Sequence, residues 1–422
     1  MKAKRFSLLV LMLVLATALS AALVQAQDAK VIKIVSQTPL SRGATEIGIG
    51  MRNGVELAIE QLGGPLRDMG FDIQFVPYDD QGTPDVGVAN AQQIVADAAV
   101  LAVIGHYNSG VAIPSSEVYD PNDLVMISPA NTGVNVTDRG LATVNRVCGR
   151  DDAQGAFGAE FAASLGLTSV YIIHDTTVYG QGVATFFQQG VEEHGITVLG
   201  FEGTEEQNNF EGVIQPILAL APDAVYMGGL YPQFGVFVNQ LRAAGYTGQL
   251  LGPDGLDGSE YVELAGEGGV GTYYSSTAGP ASAFPGTAQF IEDYTAKFGE
   301  GPKPYGAESY DATGIALAAI QRAVEAAGGE IPTRAAVAEE VRATTDYEGL
   351  TGTISFDDHG DREFASYFIL QVGSADPAEW GNNEVLSQGL IPSPLTAAAE
   401  DEGTAEATDE AMATPEATEA SS

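Results

Sequence analysis

From Val31 to about Leu251, short runs rich in β-branched residues alternate with amphipathic stretches of about 12–18 residues, the spacing of βαβ units and parallel sheets. The candidate strands are Val31–Ser36, Phe71–Pro77, Leu101–Gly105, Leu124–Ser128, Ser169–His174, Thr197–Glu202, Ala224–Gly228 and Gln249–Gly252. Between them lie predicted helices. Gly48–Leu62 places Met51, Val55 and Ile59 on one face, and Asp85–Ala98 follows the turn Gly82-Thr83-Pro84. The fold class is α/β.

The pattern restarts. One βα series runs from Val31 to about Pro129 and a second from about Ser169 to Gly252, with Val144–Gln154 as a connector. After Gly271 the order becomes strand, helix (Ala283–Phe298), long helix (Tyr305–Ala326), helix (Thr333–Thr344), then short strands at Gly352–Phe356 and Phe364–Gln371. These late pieces are expected to complete sheets begun earlier. Each half of the molecule is then discontinuous in sequence, and several chain crossings between halves form a hinge.

Composition sharpens this picture. The 422 residues carry 18 Lys plus Arg against 56 Asp plus Glu, a net charge of −38. This balance argues against nucleic acid as a partner, because phosphate binding is built from clustered Lys and Arg and none are clustered here. The same balance argues against an anionic membrane surface. With 45% hydrophobic residues, the chain can fill two cores of ordinary size.

The two ends read differently from the middle. Lys2, Lys4 and Arg5 precede an apolar run from Phe6 to Leu23 that exits through Val24-Gln25-Ala26, the pattern of a secretory signal cleaved after Ala26. Gln27, not Cys, follows, so no lipid attachment is expected there. No later stretch approaches the roughly 20 apolar residues of a membrane span. Cys148 is the single cysteine, which precludes an internal disulfide and leaves stability to the core. From about residue 396 the composition turns to Ala, Thr, Glu and Asp without a base, and a disordered acidic tail is expected over 396–422.

Catalytic signatures are missing: no H-E-x-x-H, G-x-S-x-G, P-loop or C-x-x-C occurs, and His106, His174, His194 and His359 show no metal spacing. No catalytic residue, metal or cofactor is therefore expected. Gly48-Ile49-Gly50 lies inside a helical stretch without the third glycine of a dinucleotide site, and Gly266–Gly271 reads as a turn before a strand. The informative segment is VIGHYNSGVAIPSSEVYDPNDLVMISPANT, Val103–Thr132. A strand ends at Gly105, a polar turn follows, and Ser109 stands where a helix N-cap is expected, a ready site for a carboxylate. The next strand ends in Pro129-Ala130-Asn131-Thr132, so two adjacent strands present hydroxyls and backbone N–H groups at their carboxyl ends, where open α/β sheets bind ligands. The same residues also fit a plain helix cap and a plain turn.

This segment resembles the corresponding stretch of the branched-chain amino-acid binding proteins, the leucine/isoleucine/valine type of ABC-importer substrate-binding protein. The likeness continues in NRVCGRDDAQG at Asn145–Gly155, HDTTVYGQG at His174–Gly182, YMGGLYPQFG at Tyr226–Gly235, LGPDG at Leu251–Gly255, ESYDA at Glu308–Ala312 and TGTISFDDHGD at Thr351–Asp361. The resemblance implies a two-lobed type I periplasmic binding fold with three interlobe crossings, near Cys148–Asp151, Tyr273–Ala278 and Gly352–Phe356. One lobe would take residues 27–148 and 277–353, the other 149–276 and 354–395. It further implies that Ser109, Ala130 and Thr132 hold a ligand α-carboxylate, that Asp254 takes the α-ammonium, and that Tyr179 closes over the ligand. Tyr231 belongs to the same set, with its aromatic shifted by one position at Leu230-Tyr231. Around the side chain, Tyr107-Asn108 replaces a more apolar pair of the best-known leucine binders and Ile47 replaces an aromatic.

The expected function is that of an exported solute-binding protein, monomeric, which closes like a hinge on an aliphatic amino acid and delivers it to a membrane permease. An amide, urea or aromatic-acid binder of the same fold is the alternative. Asp254 discriminates, since a ligand without a cation leaves that carboxylate unpaired. An extracellular hydrolase would have only Ser109 with His106, a pair without a third group to orient the imidazole.

Overall fold

The computed structural model describes residues 30–399. The secretory leader expected at 1–26 and nearly all of the acidic tail lie outside them. Residues 394–399 form a short helical turn.

Two parallel-dominated sheets organise the chain. The first is built from β1 (Lys30–Thr38), α1 (Thr45–Leu62), β2 (Phe71–Asp79), α2 (Pro84–Ala96), β3 (Val100–Gly105), α3 (Ser109–Tyr119), β4 (Val125–Ser128) and β5 (Val144–Arg146). Its strand order is β2-β1-β3-β4-β5, all parallel. The second follows with α4 (Asp151–Ser164), β6 (Ser169–His174), α5 (Val178–Glu193), β7 (Thr197–Gly203), α6 (Glu211–Leu220), β8 (Ala224–Gly228), α7 (Tyr231–Ala243), β9 (Gln249–Gly252), α8 (Glu260–Ala265) and β10 (Tyr273–Ser276). The chain then returns to the first lobe for α9 (Ala288–Phe298), α10 (Gly306–Ala326) and α11 (Arg334–Arg342), and forms the ribbon β11 (Tyr347–Gly349) and β12 (Gly352–Ile354). It ends in the second lobe with β13 (Phe364–Gln371) and β14 (Glu384–Pro392), giving the order β14-β13-β10-β9-β8-β6-β7.

The expected α/β class, the restart and the late return of the chain are all present. Three differences have physical reasons. The connector at Val144–Gln154 contains β5, whose three fully buried residues are too few to show a period, and the start of α4. The strand expected at Gly352–Phe356 shortens to β12 and joins neither large sheet, pairing only with β11. β14 escaped the pattern because it is an edge strand with Val385, Leu386 and Leu390 facing outward, Leu390 at 65% exposure.

In each sheet the strand order reverses beside the first strand of the unit, at β1/β3 and at β6/β8, and ligand crevices of open α/β sheets lie outside such switch points. The connections between lobes run through residues 147–150, 277–287 and 355–363. The first and third are tied together. Arg146, fully buried, donates from Nε to Asp361 and from Nη1 to the carbonyls of Asn131 (2.8 Å) and Gly133 (3.0 Å). Arg150 Nη1 donates to the other Asp361 oxygen at 2.7 Å, and Arg362 Nη1 donates to the Val147 carbonyl at 3.2 Å. One apolar cluster runs across both lobes, joining Ile47, Tyr107 and Tyr305 of the first to Tyr231, Leu256 and Phe368 of the second.

The paired glycines of α1 serve packing. A Cβ on Gly48 would fall 1.8 Å from the Pro39 carbonyl oxygen, and one on Gly54 would fall 2.2 Å from that of Gly306. Among the described residues no helix is long and apolar enough to cross a membrane.

Candidate functional site

The loop after β3 and the loop after β4 are built as one unit. The Asn131 side chain accepts from the His106 backbone N–H at 3.0 Å and from the Ser128 hydroxyl at 2.8 Å, and donates to the Tyr107 carbonyl at 2.8 Å. The Ser128 hydroxyl in turn accepts from the backbone N–H groups of Ala130 (3.2 Å) and Asn131 (2.8 Å). Every one of these groups is buried, so the loops are held at the cost of no exposed polar atom.

Ser109 corrects the sequence expectation. The N-cap of α3 is Asn108, and its side chain makes no capping bond. Ser109 is the first helical residue, and its Oγ accepts from the Gly133 N–H at 3.1 Å, which leaves the hydroxyl proton free to donate. The free N–H groups and positive end of the α3 dipole meet at this point.

On the opposite side, β9 ends at Gly252, and Pro253 leads Asp254 into a short turn of 3-10 helix. Asp254 is 3% exposed. Its Oδ1 accepts from the Tyr179 hydroxyl at 2.7 Å and from Gln154 Nε2 at 2.8 Å, and its Oδ2 accepts from the Tyr305 hydroxyl. Burial pushes the Asp254 carboxyl up from the usual range, opposed by the bonds from Tyr305, Tyr179 and Gln154. Tyr179 is aimed by a capped helix start: the Thr177 hydroxyl accepts from the Gly180 N–H at 2.9 Å, and Tyr179 Oη accepts from the Gly255 N–H at 2.9 Å.

The two sides meet around a small cavity of about 10 Å³ lined by Tyr107, Asn108, Ala130, Thr132, Tyr179, Leu230 and Asp254. Six of these seven are residues singled out in the sequence. Ser109 is adjacent to this lining and not part of it, its hydroxyl accepting from the Gly133 N–H. Ile47 and Tyr231 sit in the surrounding apolar cluster, and Leu230, not Tyr231, reaches the cavity. The Tyr231 ring packs where a Cβ on Gly258 would come within 2.7 Å of it.

Three further residues complete the site: Gln154, Tyr305 and Asp151. Gln154 and Asp151 stand in the quoted segment NRVCGRDDAQG, and Tyr305 just precedes ESYDA, but nothing in their spacing announces Asp254 as their neighbour. Asp151 is 1% exposed. Burial and the Asp254 charge push its carboxyl well up, and the Thr132 hydroxyl lies beside it without reaching normal hydrogen-bond geometry. The site thus offers hydroxyl and N–H dipoles from one lobe and a carboxylate from the other, an arrangement able to receive a zwitterion end to end.

His106 is not part of it. Its ring faces the first lobe's interior, with Nδ1 3.2 Å from Asp80 and Nε2 3.4 Å from the Tyr119 hydroxyl, so it does not meet Ser109 as a hydrolase would require. Among the described residues no His, Cys, Asp or Glu cluster has the geometry of a metal site.

Fold and cleft together define a two-lobed α/β ligand-binding protein. The chain belongs to the periplasmic binding protein family, whose family model matches residues 31–377. It is 30% identical over 345 residues to the leucine-, isoleucine-, valine-, threonine-, and alanine-binding protein of Pseudomonas aeruginosa, covering 81% of this chain and 90% of that one. It is 30% identical over 326 residues to a Leu/Ile/Val-binding protein homolog of Brucella suis, with 77% and 85% covered. The crystal structure of a leucine binding protein from Thermotoga maritima superposes with a TM-score of 0.76 at 29% identity, over 86% of this chain and 99% of that one.

Proposed function

We propose that this protein is the extracytoplasmic solute-binding component of an ABC importer and that it carries an aliphatic, branched-chain amino acid to its membrane permease. The observation that carries the proposal is the convergence of Thr132 and Asp254, from opposite lobes, on one cavity. In this assignment Ser109, Ala130 and Thr132 hold the α-carboxylate, Asp254 takes the α-ammonium, and Tyr179 closes over both. Tyr305 and Gln154 position the Asp254 carboxylate. Ile47, Tyr107, Asn108 and Tyr231 shape the space for the side chain.

The lobes are assigned to residues 27–148 with 277–353 and 149–276 with 354–395. The exported form would begin after Ala26 and act as a monomer. The named relatives support the amino-acid class, and the buried Asp254 opposes a neutral amide or urea, which would leave that charge without a partner.

Calorimetric titration of the mature chain with the twenty amino acids, urea, acetamide and benzoate tests the proposal. Leucine, isoleucine or valine is expected to bind most tightly. Saturable binding of benzoate or an amide with no response to any amino acid would overturn it.

A further inference from the structure

A second cavity, larger than the one at the clamp, opens among the described residues. It lies farther along the seam between lobes, toward β10 and β13, with a volume of about 480 Å³, within the range of small-molecule sites. Its walls come from both lobes. Glu46, Glu300 and Lys303 belong to the first, and Asp257, Tyr274 and Trp380 to the second, with prolines and alkyl side chains between them.

The chemistry of this cavity is specific. Asp257 is 6% exposed and lines it directly. Its Oδ1 accepts from Trp380 Nε1 at 2.9 Å and from the Tyr274 hydroxyl at 3.3 Å. Its Oδ2 accepts no hydrogen bond from the described residues, yet the atom is not among those sealed from contact. The single base in the wall, Lys303, is already engaged by Glu46 at 3.1 Å and Glu300 at 3.3 Å, so it does not neutralise Asp257. The Tyr274 and Trp380 rings stack beside the carboxylate, with centroids 5.8 Å apart and planes 16° apart. A carboxylate oxygen without a donor, next to aromatic faces and apolar walls, matches a cation that carries an apolar body.

We infer that this seam cavity is a second binding site, for an organic ammonium whose charge pairs with Asp257 and whose body lies against Tyr274 and Trp380. A ligand there touches both lobes at once, so it favours the closed arrangement, and its binding is coupled to that of any ligand in the clamp. Burial, with the charges of Glu46 and Asp254, lifts the Asp257 carboxyl to about 7, so the pairing strengthens as pH rises past neutrality. The ammonium has two sources: a free amine, or the far end of a diamino acid already held at the clamp.

Calorimetric titration of the mature chain with phenethylammonium chloride, and in parallel with the neutral phenethyl alcohol, tests the inference at pH 8. The ammonium is expected to saturate a single site, and the alcohol to bind at least about tenfold more weakly. Asp257→Asn keeps an acceptor for Trp380 and Tyr274, so it is expected to fold and to hold leucine within about threefold, while losing the ammonium at least tenfold. If leucine enhances the ammonium, the source is a free amine. If leucine displaces it, and L-lysine loses affinity in Asp257→Asn where leucine does not, the source is a clamped diamino acid. Absence of saturable ammonium binding, or equal binding by Asp257→Asn, overturns the site. Should that variant fail to fold, equal binding of ammonium and alcohol by the parent overturns it as well. The leucine arm reports on the clamp separately, so the two assignments fail independently.

Discussion

At the Ser109 and Thr132 wall the groups turned toward the cleft are neutral dipoles, braced by other neutral dipoles and, from behind, by the Arg146 guanidinium on the Asn131 and Gly133 carbonyls. The Ser128 hydroxyl, the Asn131 amide and the Gly133 N–H fix the loops after β3 and β4 through bonds of 2.8–3.2 Å, and none of these groups carries charge. At the Asp254 wall a full carboxylate is held by two phenols and an amide from α4, α5 and the start of α10. The first wall draws its donors from two consecutive βα units. The second gathers them from segments 75, 100 and 51 residues away from Asp254. The difference separates two ways of binding charge: many partial charges in a rigid loop, whose individual loss is modest, or one whole charge in a dry site, whose loss is severe.

The largest effect is expected from Asp254→Asn. It preserves shape and acceptor capacity toward Tyr179 and Gln154 but removes the charge, and breaking half of a buried pair costs about 3–5 kcal/mol. Amino-acid affinity measured by titration should fall at least about 100-fold. An unchanged affinity would move the ammonium partner elsewhere, with Asp151 the next acid to test. Ser109→Ala and Thr132→Ala each remove one hydroxyl donor, worth about 1.5–3 kcal/mol toward a charged acceptor, so each should weaken binding roughly 10- to 100-fold. A double variant that binds like the parent ends the carboxylate assignment.

Gly133→Ala probes the scaffold of the neutral wall. The added Cβ would lie 2.9 Å from Ser109 Oγ and 3.0 Å from its Cβ, so the hydroxyl must move. The backbone φ of −55° tolerates alanine, so the folded state should survive. An affinity loss of roughly 10-fold with little change in Tm is expected, and a large drop in Tm with intact affinity would show that the contact is structural.

The smallest effect concerns pH. Burial raises the carboxyls of Asp257 to about 7 and Glu308 to about 8, and pushes Asp254 and Asp151 up as well. The charges facing Asp257 are Glu46 and Asp254, and those facing Glu308 are Asp311, Arg362 and Asp257. Asp257 and Glu308 keep a proton in the folded chain over a range where the unfolded chain has already released it, so their contribution is fully present below about pH 4 and is lost progressively as pH rises to 7 and 8. Asp361 opposes them: burial would raise it, but Arg146 and Arg150 hold it below the usual range, and its contribution is lost in acid. Thermal melts should therefore show Tm higher at pH 5.5 than at pH 8.5, by roughly 4 °C. The Asp257→Asn, Glu308→Gln pair should flatten that slope, and a Tm that rises toward pH 8.5 would contradict it.

The same contrast governs what the sequence disclosed. The hydroxyl wall lies within Val103–Thr132, where chain order and spatial order coincide, so Ala130 and Thr132 could be found from two strand ends in succession. The geometry at Ser109 could not, because capping and loop bracing place the same residue type one position apart. At the acid wall, Asp254 follows a legible strand end, but Gln154 and Tyr305 become its neighbours only through the interlobe connections. Among the elements, β6, β8, β9 and β13 were readable to the residue as apolar runs covered on both faces. The ribbon β11–β12 and the edge strand β14 were not, since solvent on one side relaxes the pattern that burial enforces.

The buried Arg146 has a mechanical consequence. Through Asp361, Arg150 and Arg362 the first and third interlobe connections are riveted to each other, and through Asn131 and Gly133 the rivet is fastened to the loop that carries Thr132. Two connections so joined are constrained to move together, and a bend at the seam is the motion that breaks the fewest of these bonds. The 277–287 connection lies outside the rivet and is anchored separately, with the Thr277 hydroxyl 3.1 Å from that of Tyr305 and the Phe284 ring against Phe368. A shift of the loop that carries Thr132 thereby reaches both connections through a single side chain, that of Arg146.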